Sequence, residues 1–135
     1  MYVKVSTEHS IRILEFLARD EGKLYSAQTL SNALDIPLPF FMKIVSLLKK
    51  AKMVKTVQGR SGGFLLAKKA DKITIFDVMK AAENDYVIAP CLESGAKKFK
   101  GKNEIKPYFD GIQTIVEEKL KSTTIRDLVS EPAAK

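Results

Sequence analysis

The sequence predicts a mainly α-helical fold with one small β-hairpin and a long C-terminal helix. Three patterns support this prediction: two short amphipathic segments flank a proline-containing turn at 35–39, a glycine-rich stretch separates two β-prone runs at 53–67, and apolar residues recur at helical spacing after residue 104. Helix, turn, helix and hairpin in this order are typical of a winged helix-turn-helix. The 135 residues suffice for one such domain with an extension.

Three helices are predicted before the hairpin. The first begins at a Ser6-Thr7 cap, and the second is two turns long and capped by Ser26. The third runs over residues 40–52, with Pro39 suited to its first turn. Its inward stripe is apolar and leaves lysines on the other face; the stripe consists of Phe41, Ile44, Val45, Leu48 and Ala51.

The remaining elements follow from turn and capping signals. Residues 53–58 and 64–67 are β-prone and flank the tip Gly59-Arg60-Ser61-Gly62-Gly63, which predicts a wing. Thr74 to Asp77 resembles a capping box that opens a fourth helix, and Thr124 to Asp127 caps a short terminal helix. We therefore divide the chain into a winged helix-turn-helix DNA-binding domain (1–84), a sensor or effector loop (85–103), and a dimerisation helix with the C-terminal helix (104–135).

The long final helix carries an apolar stripe that the preceding domain does not obviously cover. Its predicted dimerisation residues are Phe109, Ile112, Val116 and Leu120. A helix of this kind usually finds a partner chain, which predicts a homodimer. The alternative is that the helix folds back on its own domain.

The positive charge lies in the first half of the chain. Residues 1–72 hold 13 Lys and Arg against 6 Asp and Glu, whereas residues 73–135 hold 10 against 10, so the first half carries the whole net charge of +7. Such a concentration suits a polyanion, although a solvated lysine-rich face is the alternative.

The helix-turn-helix and the wing together predict an interface with double-stranded DNA. The third helix would offer amides to phosphate and side chains to base edges, and Arg60 at the glycine-rich tip would enter a narrow minor groove. The residues expected to contact DNA are Ser26, Thr29, Pro37, Leu38, Pro39, Phe40, Met42, Lys43, Ser46, Lys50, Gln58, Gly59, Arg60, Ser61, Gly62 and Gly63.

Other function classes fit the composition poorly. One histidine and no recognisable nucleophile motif argue against an enzyme. No run approaches the roughly 18 apolar residues of a membrane span, and the first residues lack the apolar core of a signal peptide. A single cysteine forms no internal disulfide. We expect a cytoplasmic protein without a membrane partner.

The chain resembles the Rrf-type family of winged helix-turn-helix transcriptional regulators, which includes IscR, NsrR and CymR. Four stretches and a C-terminal motif carry the likeness: Val5-Ser6-Thr7; 36–41 with Lys43-Ile44; 47–55; 59–66; and 122–128. The resemblance implies a homodimer, expected to act as a repressor, that reads a roughly palindromic operator. Positions 37, 39, 42 and 43 match the family's base-reading turn. Pro37 and Pro39 stand where relatives often carry hydroxyl groups, and Gln58 stands where many have arginine.

The sensor site departs from the family's iron-sulfur pattern. Three cysteines at Cys-x5-Cys-x5-Cys spacing hold the cluster in those members, but the spacing from Cys91 leads to Lys97 and Asn103. We therefore expect no cofactor and no metal site. A cluster held by Cys91 with Glu8 or His9 is one alternative, Cys91 as a redox-sensing thiol is a second, and a structural cysteine with an unidentified effector is a third.

A rival function also stays open. A winged helix that has lost DNA binding would serve as a protein-interaction module, and Pro37 and Pro39 are the main argument for it. The retained charge skew and Arg60 speak for DNA.

Overall fold

The computed structural model describes residues 1–93 and 105–130. In these ranges the helices are α1 (Val5–Arg19), α2 (Ala27–Leu34), α3 (Leu38–Lys50), α4 (Ile75–Ala81), α5 (Ile105–Ser122) and α6 (Ile125–Ser130), and the strands are β1 (Val54–Val57) and β2 (Gly63–Leu66). Single 3-10 turns lie at Ala70–Lys72 and Pro90–Leu92. The predicted mainly helical fold with one antiparallel hairpin is confirmed.

Two helix boundaries differ from the prediction. Helix α1 begins at Val5, after Lys4, and not at a Ser6-Thr7 cap. Thr7 is instead buried, and its hydroxyl donates to Oδ1 of Asn84 at 2.6 Å, so a distant part of the chain takes the group that could have capped the helix. Helix α3 begins at Leu38 and ends at Lys50, since Lys52 adopts a left-handed conformation with φ 61°.

The core lies where α1, α2 and α3 meet under the hairpin and α4. Helix α3 contributes four of the five residues predicted for its inward stripe, and the fifth, Ala51, is half-buried at the end of the helix. Phe41 and Phe64 of β2 meet edge to face with 5.9 Å between ring centroids, which fixes the hairpin to the helices. The fully buried residues of α1 include Ile13, Leu14 and Leu17.

The terminal helix α6 belongs to this same core. Ile125 is fully buried, and its amide donates to the carbonyl of Ile73 at 2.9 Å, while the amide of Ile75 donates to Thr123 at 2.9 Å. Helix α6 packs on α1, where Arg126 forms an ion pair with Glu21. Residues 105–130 are therefore not a separate packing unit, although they were predicted within one segment.

Both predicted capping boxes are present. Asp77 accepts from the amide of Thr74 at 3.2 Å and donates its own amide to the Thr74 hydroxyl at 3.1 Å. The same reciprocal bonds join Thr124 and Asp127, at 2.9 and 3.2 Å. These motifs start α4 and α6 by satisfying amides that lack a partner within the helix.

Within the described ranges, no single helix is long and apolar enough to cross a membrane. One pair, α2 with α3, reaches that length and composition only together, and it is bent by 110° at its break.

Candidate nucleic-acid interface

The turn between α2 and α3 is fixed by its own hydrogen bonds. Helix α2 ends at Asp35, whose left-handed backbone (φ 54°, ψ 47°) lets its amide donate to the carbonyls of Asn32 and Ser31. The Ser31 hydroxyl donates to the carbonyl of Ile36, which is itself buried. The two helices consequently meet at 110°, within the range of about 90–120° that helix-turn-helix motifs use.

One face of α3 is exposed along its whole length. At 3.6 residues per turn its members fall within an arc of roughly 100°, opposite the buried stripe. All are exposed, and we call them the α3 outer face: Pro39, Met42, Lys43, Ser46 and Lys50. The sequence predicted each of them as a DNA contact, and the structure brings them together.

The first turn of α3 has few free amides. Pro37 precedes the helix and Pro39 is its second residue, so two of the four backbone positions that would otherwise present unpaired N–H groups carry none. The amides of Leu38 and Phe40 remain for an anion. This turn could therefore offer a phosphate two amides, and not the four of a helix start without proline.

Ser26 and Thr29 lie at the start of α2. The Ser26 hydroxyl accepts from the amide of Thr29 at 3.1 Å, which caps the helix, and it donates to the Thr29 hydroxyl at 2.8 Å. Both are exposed and stay in the candidate interface. They carry a structural task that limits how far they can turn toward a ligand.

The wing is joined to the helix-turn-helix through its backbone. Tyr25, directly before the α2 cap, exchanges two hydrogen bonds with Phe64 of β2, at 3.2 and 2.8 Å. The hairpin register pairs Val57 with Gly63. The tip therefore projects from a two-stranded hairpin that a single bridge ties to Tyr25. The outer part of the tip is exposed and consists of Gln58, Gly59, Arg60 and Ser61.

The wing glycines approach the protein's own backbone. A Cβ at Gly62 would lie 2.0 Å from the carbonyl oxygen of Val57, and one at Gly63 would lie 2.5 Å from that of Tyr25. Gly59, in contrast, adopts φ 111° at an open tip, where an added Cβ would meet no atom within 4 Å. Gly62 and Gly63 are half-buried, so their absent side chains first serve the hairpin turn.

The basic residues around this surface lack acidic partners. Within the described ranges, none of the basic side chains from 43 to 72 forms an ion pair, and Asp71 is the one acidic residue in that stretch. All of them are exposed: Lys43, Lys49, Lys50, Lys52, Lys55, Arg60, Lys68, Lys69 and Lys72. Their charge is available to a polyanion.

Helix α1 supports the start of α3 through a contact that the sequence did not reveal. Arg12 donates to the carbonyl of Leu34 at 2.7 Å and to Nδ1 of His9 at 3.2 Å. The His9 ring meets Phe40 edge to face, with 5.8 Å between centroids. Burial lowers the pKa of His9, the Arg12 charge lowers it further, and Glu8 opposes both. Phe40 thus faces α1 and lies off the α3 outer face.

Cys91 is the single thiol of the sequence, so this chain lacks the three thiolates that would hold an iron-sulfur cluster. Cys91 is half-buried in the 3-10 turn Pro90–Leu92. Among the described residues, no three His, Cys, Asp or Glu side chains are grouped to hold a metal. His9 shares its Nδ1 with Arg12. Positions 97 and 103, which the cysteine spacing reaches, lie outside the described residues, as do Lys98 and Lys100, but none of the four is a cysteine.

Helix α5 is fixed to the segment 85–93 by one buried amide. Gln113 is the only buried residue of α5; its side chain accepts from the amide of Ile88 at 2.9 Å and donates to the carbonyl of Tyr86 at 2.8 Å. Tyr86 also meets Phe76 of α4, with 4.9 Å between ring centroids. No sequence pattern singled out Gln113, because a lone glutamine in a helix usually faces solvent.

The predicted dimerisation residues are half-buried. Helix α5 packs on α4 and on the 3-10 turn beside Cys91, and Phe109, Ile112, Val116 and Leu120 are each partly covered. The most exposed large apolar side chains of α5 are Ile105, Tyr108 and Ile115, at 62%, 66% and 67%. Helical spacing did not single out these three, since two apolar stripes overlap at Ile112.

This arrangement defines the class of the chain as a winged helix-turn-helix protein. The structure of CymR (YrzC), the global cysteine regulator of B. subtilis, superposes with a TM-score of 0.82 at 23% identity, and the match covers 96% of this chain and 97% of that one. The T. potens IscR structure gives 0.76 at 23% identity, covering 100% and 94%.

The family model for Rrf2, described as an iron-dependent transcriptional regulator, matches residues 3–131. The chain therefore belongs to the Rrf2 family of transcriptional regulators, not to an enzyme family. Among its relatives, protein aau3 of Rhizobium meliloti is 35% identical over 95 residues, covering 70% of this chain and 62% of that protein. NsrR of Oceanobacillus iheyensis is 31% identical over 96 residues, covering 70% and 65%. The match thus spans less than two thirds of each relative's length.

Proposed function

We propose that this protein is a dimeric, sequence-specific DNA-binding regulator that represses transcription from a roughly palindromic operator. The observation that carries the proposal is the α3 outer face, which is exposed along its whole length and bordered by basic residues without acidic partners. Since its ligand is DNA, we place the protein in the cytoplasm. A dimer bound within a promoter blocks polymerase by occupancy alone, which is why we propose repression.

In this function α3 enters the major groove and the wing contacts the neighbouring backbone or minor groove. Tyr25, just before the cap of α2, pairs with Phe64 of β2. Because of this pairing, the helix-turn-helix and the wing meet the duplex as one unit. The surrounding lysines neutralise phosphates and release counterions, so affinity falls as salt rises. Two such units read two half-sites if α5 joins the protomers through its exposed residues Ile105, Tyr108 and Ile115.

For the effector we propose a route without a three-thiolate iron-sulfur cluster. The reason is the chemistry of the donor set, because Cys91 is the single thiol of the sequence and its spacing partners are lysine and asparagine. Iron and sulfide analysis of anaerobically purified protein tests this point, and a stoichiometric cluster would contradict it. The identity of the effector is a separate question from DNA binding.

The central experiment compares two variants with equal changes in charge. Lys43→Ala with Arg60→Ala removes two positive charges from the proposed interface, and Lys80→Glu changes the charge by the same amount at an exposed position of α4, outside the proposed DNA and dimer surfaces. Retardation of the protein's own upstream promoter DNA is measured at several salt concentrations. We expect the double variant to bind about tenfold to a hundredfold more weakly, with its salt slope reduced by about 1 to 2.

The control variant should keep the parent's affinity within about threefold. Equal binding by the double variant and the parent at every ionic strength would contradict the proposal. In that case the fold would serve as a protein-interaction module. The structural argument for this alternative is that the two prolines at the start of α3 have no N–H group to offer a phosphate.

A further inference from the structure

We propose that the first two turns of α3 read thymine methyl groups, so that the operator half-site carries A·T pairs opposite Pro39 and Met42. This inference rests on the proposed function and deepens it by naming the base feature that is read. It concerns the α3 outer face, where hydrogen-bonding and apolar side chains are unevenly distributed.

The beginning of the α3 outer face has no hydrogen-bonding side chain. Pro39 and Met42 offer neither a donor nor a strong acceptor, and Pro37 before the helix also lacks an amide. Base readout by hydrogen bonds requires side chains such as Arg, Lys, Asn or Gln. On this face such groups begin at Lys43 and continue with Ser46 and Lys50.

The same positions offer accessible apolar surface. Met42 is 44% exposed, which is unusual for methionine, and Pro39 is exposed three residues before it on the same face. On the major-groove edge of the four natural base pairs, the thymine C5 methyl is the apolar group that a side chain can contact. Each methyl buried against this surface should strengthen binding by about threefold to fivefold.

The surrounding charge favours DNA over an apolar protein partner. Lys43 and Lys50 lie on the same face as Met42, and neither forms an ion pair within the described part of the chain. An apolar protein groove would leave these charges without compensation. The major groove instead places methyl groups between two rows of phosphates, which matches an apolar centre with basic borders.

The test begins by selecting binding sites for the full chain from a random duplex library. The selected duplex is then made with thymine or with deoxyuridine, which pairs identically but lacks the C5 methyl. We expect A·T pairs at the half-site positions facing α3 and a loss of about threefold to fivefold for each contacted thymine replaced. Replacement outside the half-sites should have no effect.

Two variants assign the effect to its residue. Met42→Ala should remove the effect of deoxyuridine at the thymine opposite residue 42 and keep it at the thymine opposite Pro39, whereas Lys50→Ala should weaken both duplexes equally, since a phosphate contact does not sense the methyl. Salt-dependent, selective binding with equal affinity for both duplexes would overturn the inference while leaving the regulator function intact. Failure to retain any duplex would instead overturn the function, and the inference with it.

Discussion

His9 and Arg12 join three helices at the start of the candidate interface. One guanidinium nitrogen of Arg12 donates to the carbonyl at the end of α2, and another donates to His9. The His9 ring in turn contacts Phe40 of α3 edge to face. Because the ring nitrogen accepts from a cation, a proton on it would place two positive charges side by side. The neutral imidazole is therefore the form that the fold accommodates.

This contact predicts a pH dependence of stability. The folded pKa of His9 lies below its ordinary 6.5, so the unfolded chain binds the proton more readily and stability falls as the pH drops from above 6.5 through the folded value. Between about pH 7.5 and 5.5 the urea midpoint of the parent should fall more than that of His9→Gln, which cannot titrate. Parallel pH profiles for the two proteins would contradict this account.

The role of a residue could be predicted from the sequence only where helical spacing alone shows that a polar or charged side chain is exposed. Lys43, Ser46 and Lys50 are exposed on one face, as their helical spacing implied. Gly62 and Gly63 were expected to admit DNA, but their missing side chains make room for the backbone of Val57 and Tyr25. A glycine-rich motif does not state which backbone comes close, because that depends on pairing with residues far away in sequence.

Helix α5 shows how an element can carry two apolar stripes. One contains Phe109, Val116 and Leu120, which are half-buried where α5 packs on its own domain. The other contains Tyr108 and Ile115, which are exposed. Helical spacing revealed the first stripe but could not tell which of the two the protein covers itself.

The exposed stripe predicts where a second protomer would bind. Ile115→Glu places a charge at the centre of this stripe and should convert a dimer into a monomer at micromolar concentration, because burying an unpaired carboxylate is costly. Thr114→Glu, on a neighbouring exposed position, should leave the dimer intact. Light scattering after gel filtration measures both masses. A dimeric Ile115→Glu variant would place the interface elsewhere.

Local sequence signals predicted the helices and strands well, but they did not predict the tertiary contacts. Both capping boxes formed as predicted, since each needs only four consecutive residues. The predicted start of α1 was wrong because the Thr7 hydroxyl donates a hydrogen bond to Asn84, a partner 77 residues away. The helix-turn-helix and hairpin followed from proline, glycine and apolar spacing, whereas the contacts that join them did not.

At the scale of the whole molecule, the chain leaves its first domain and returns to it. After α5, the backbone of Thr123 and Ile125 pairs with that of Ile75 and Ile73, and the Ile125 side chain completes the core. The sequence predicted α6 but grouped it with the dimerisation helix. Its place in the core depends on a pairing across about 50 residues, which no local pattern reports.

This return predicts one cooperative unfolding transition. Ile125→Ala leaves a cavity among fully buried side chains and should lower the free energy of unfolding by about 2 to 5 kcal/mol. Val5→Ala, at an exposed position of α1, should change it by less than about 0.5 kcal/mol. Urea unfolding followed by circular dichroism measures both. A separate early transition for the C-terminal region, with the main midpoint unchanged, would contradict the shared core.

The pairing of Ile73 with Ile125 also decides which part of the protein is portable. A fragment cut after Asn84 would keep every proposed DNA contact, yet it would leave Ile73 with an unpaired carbonyl and a gap where the isoleucine side chain belongs. A DNA-binding unit that can be moved to another protein must therefore combine two parts of the gene. One encodes the residues up to Asn84, and the other encodes α6. A chimera that exchanges the proposed effector segment between relatives should have its second junction inside α5. The residues before the segment and α6 after it should then come from the same parent.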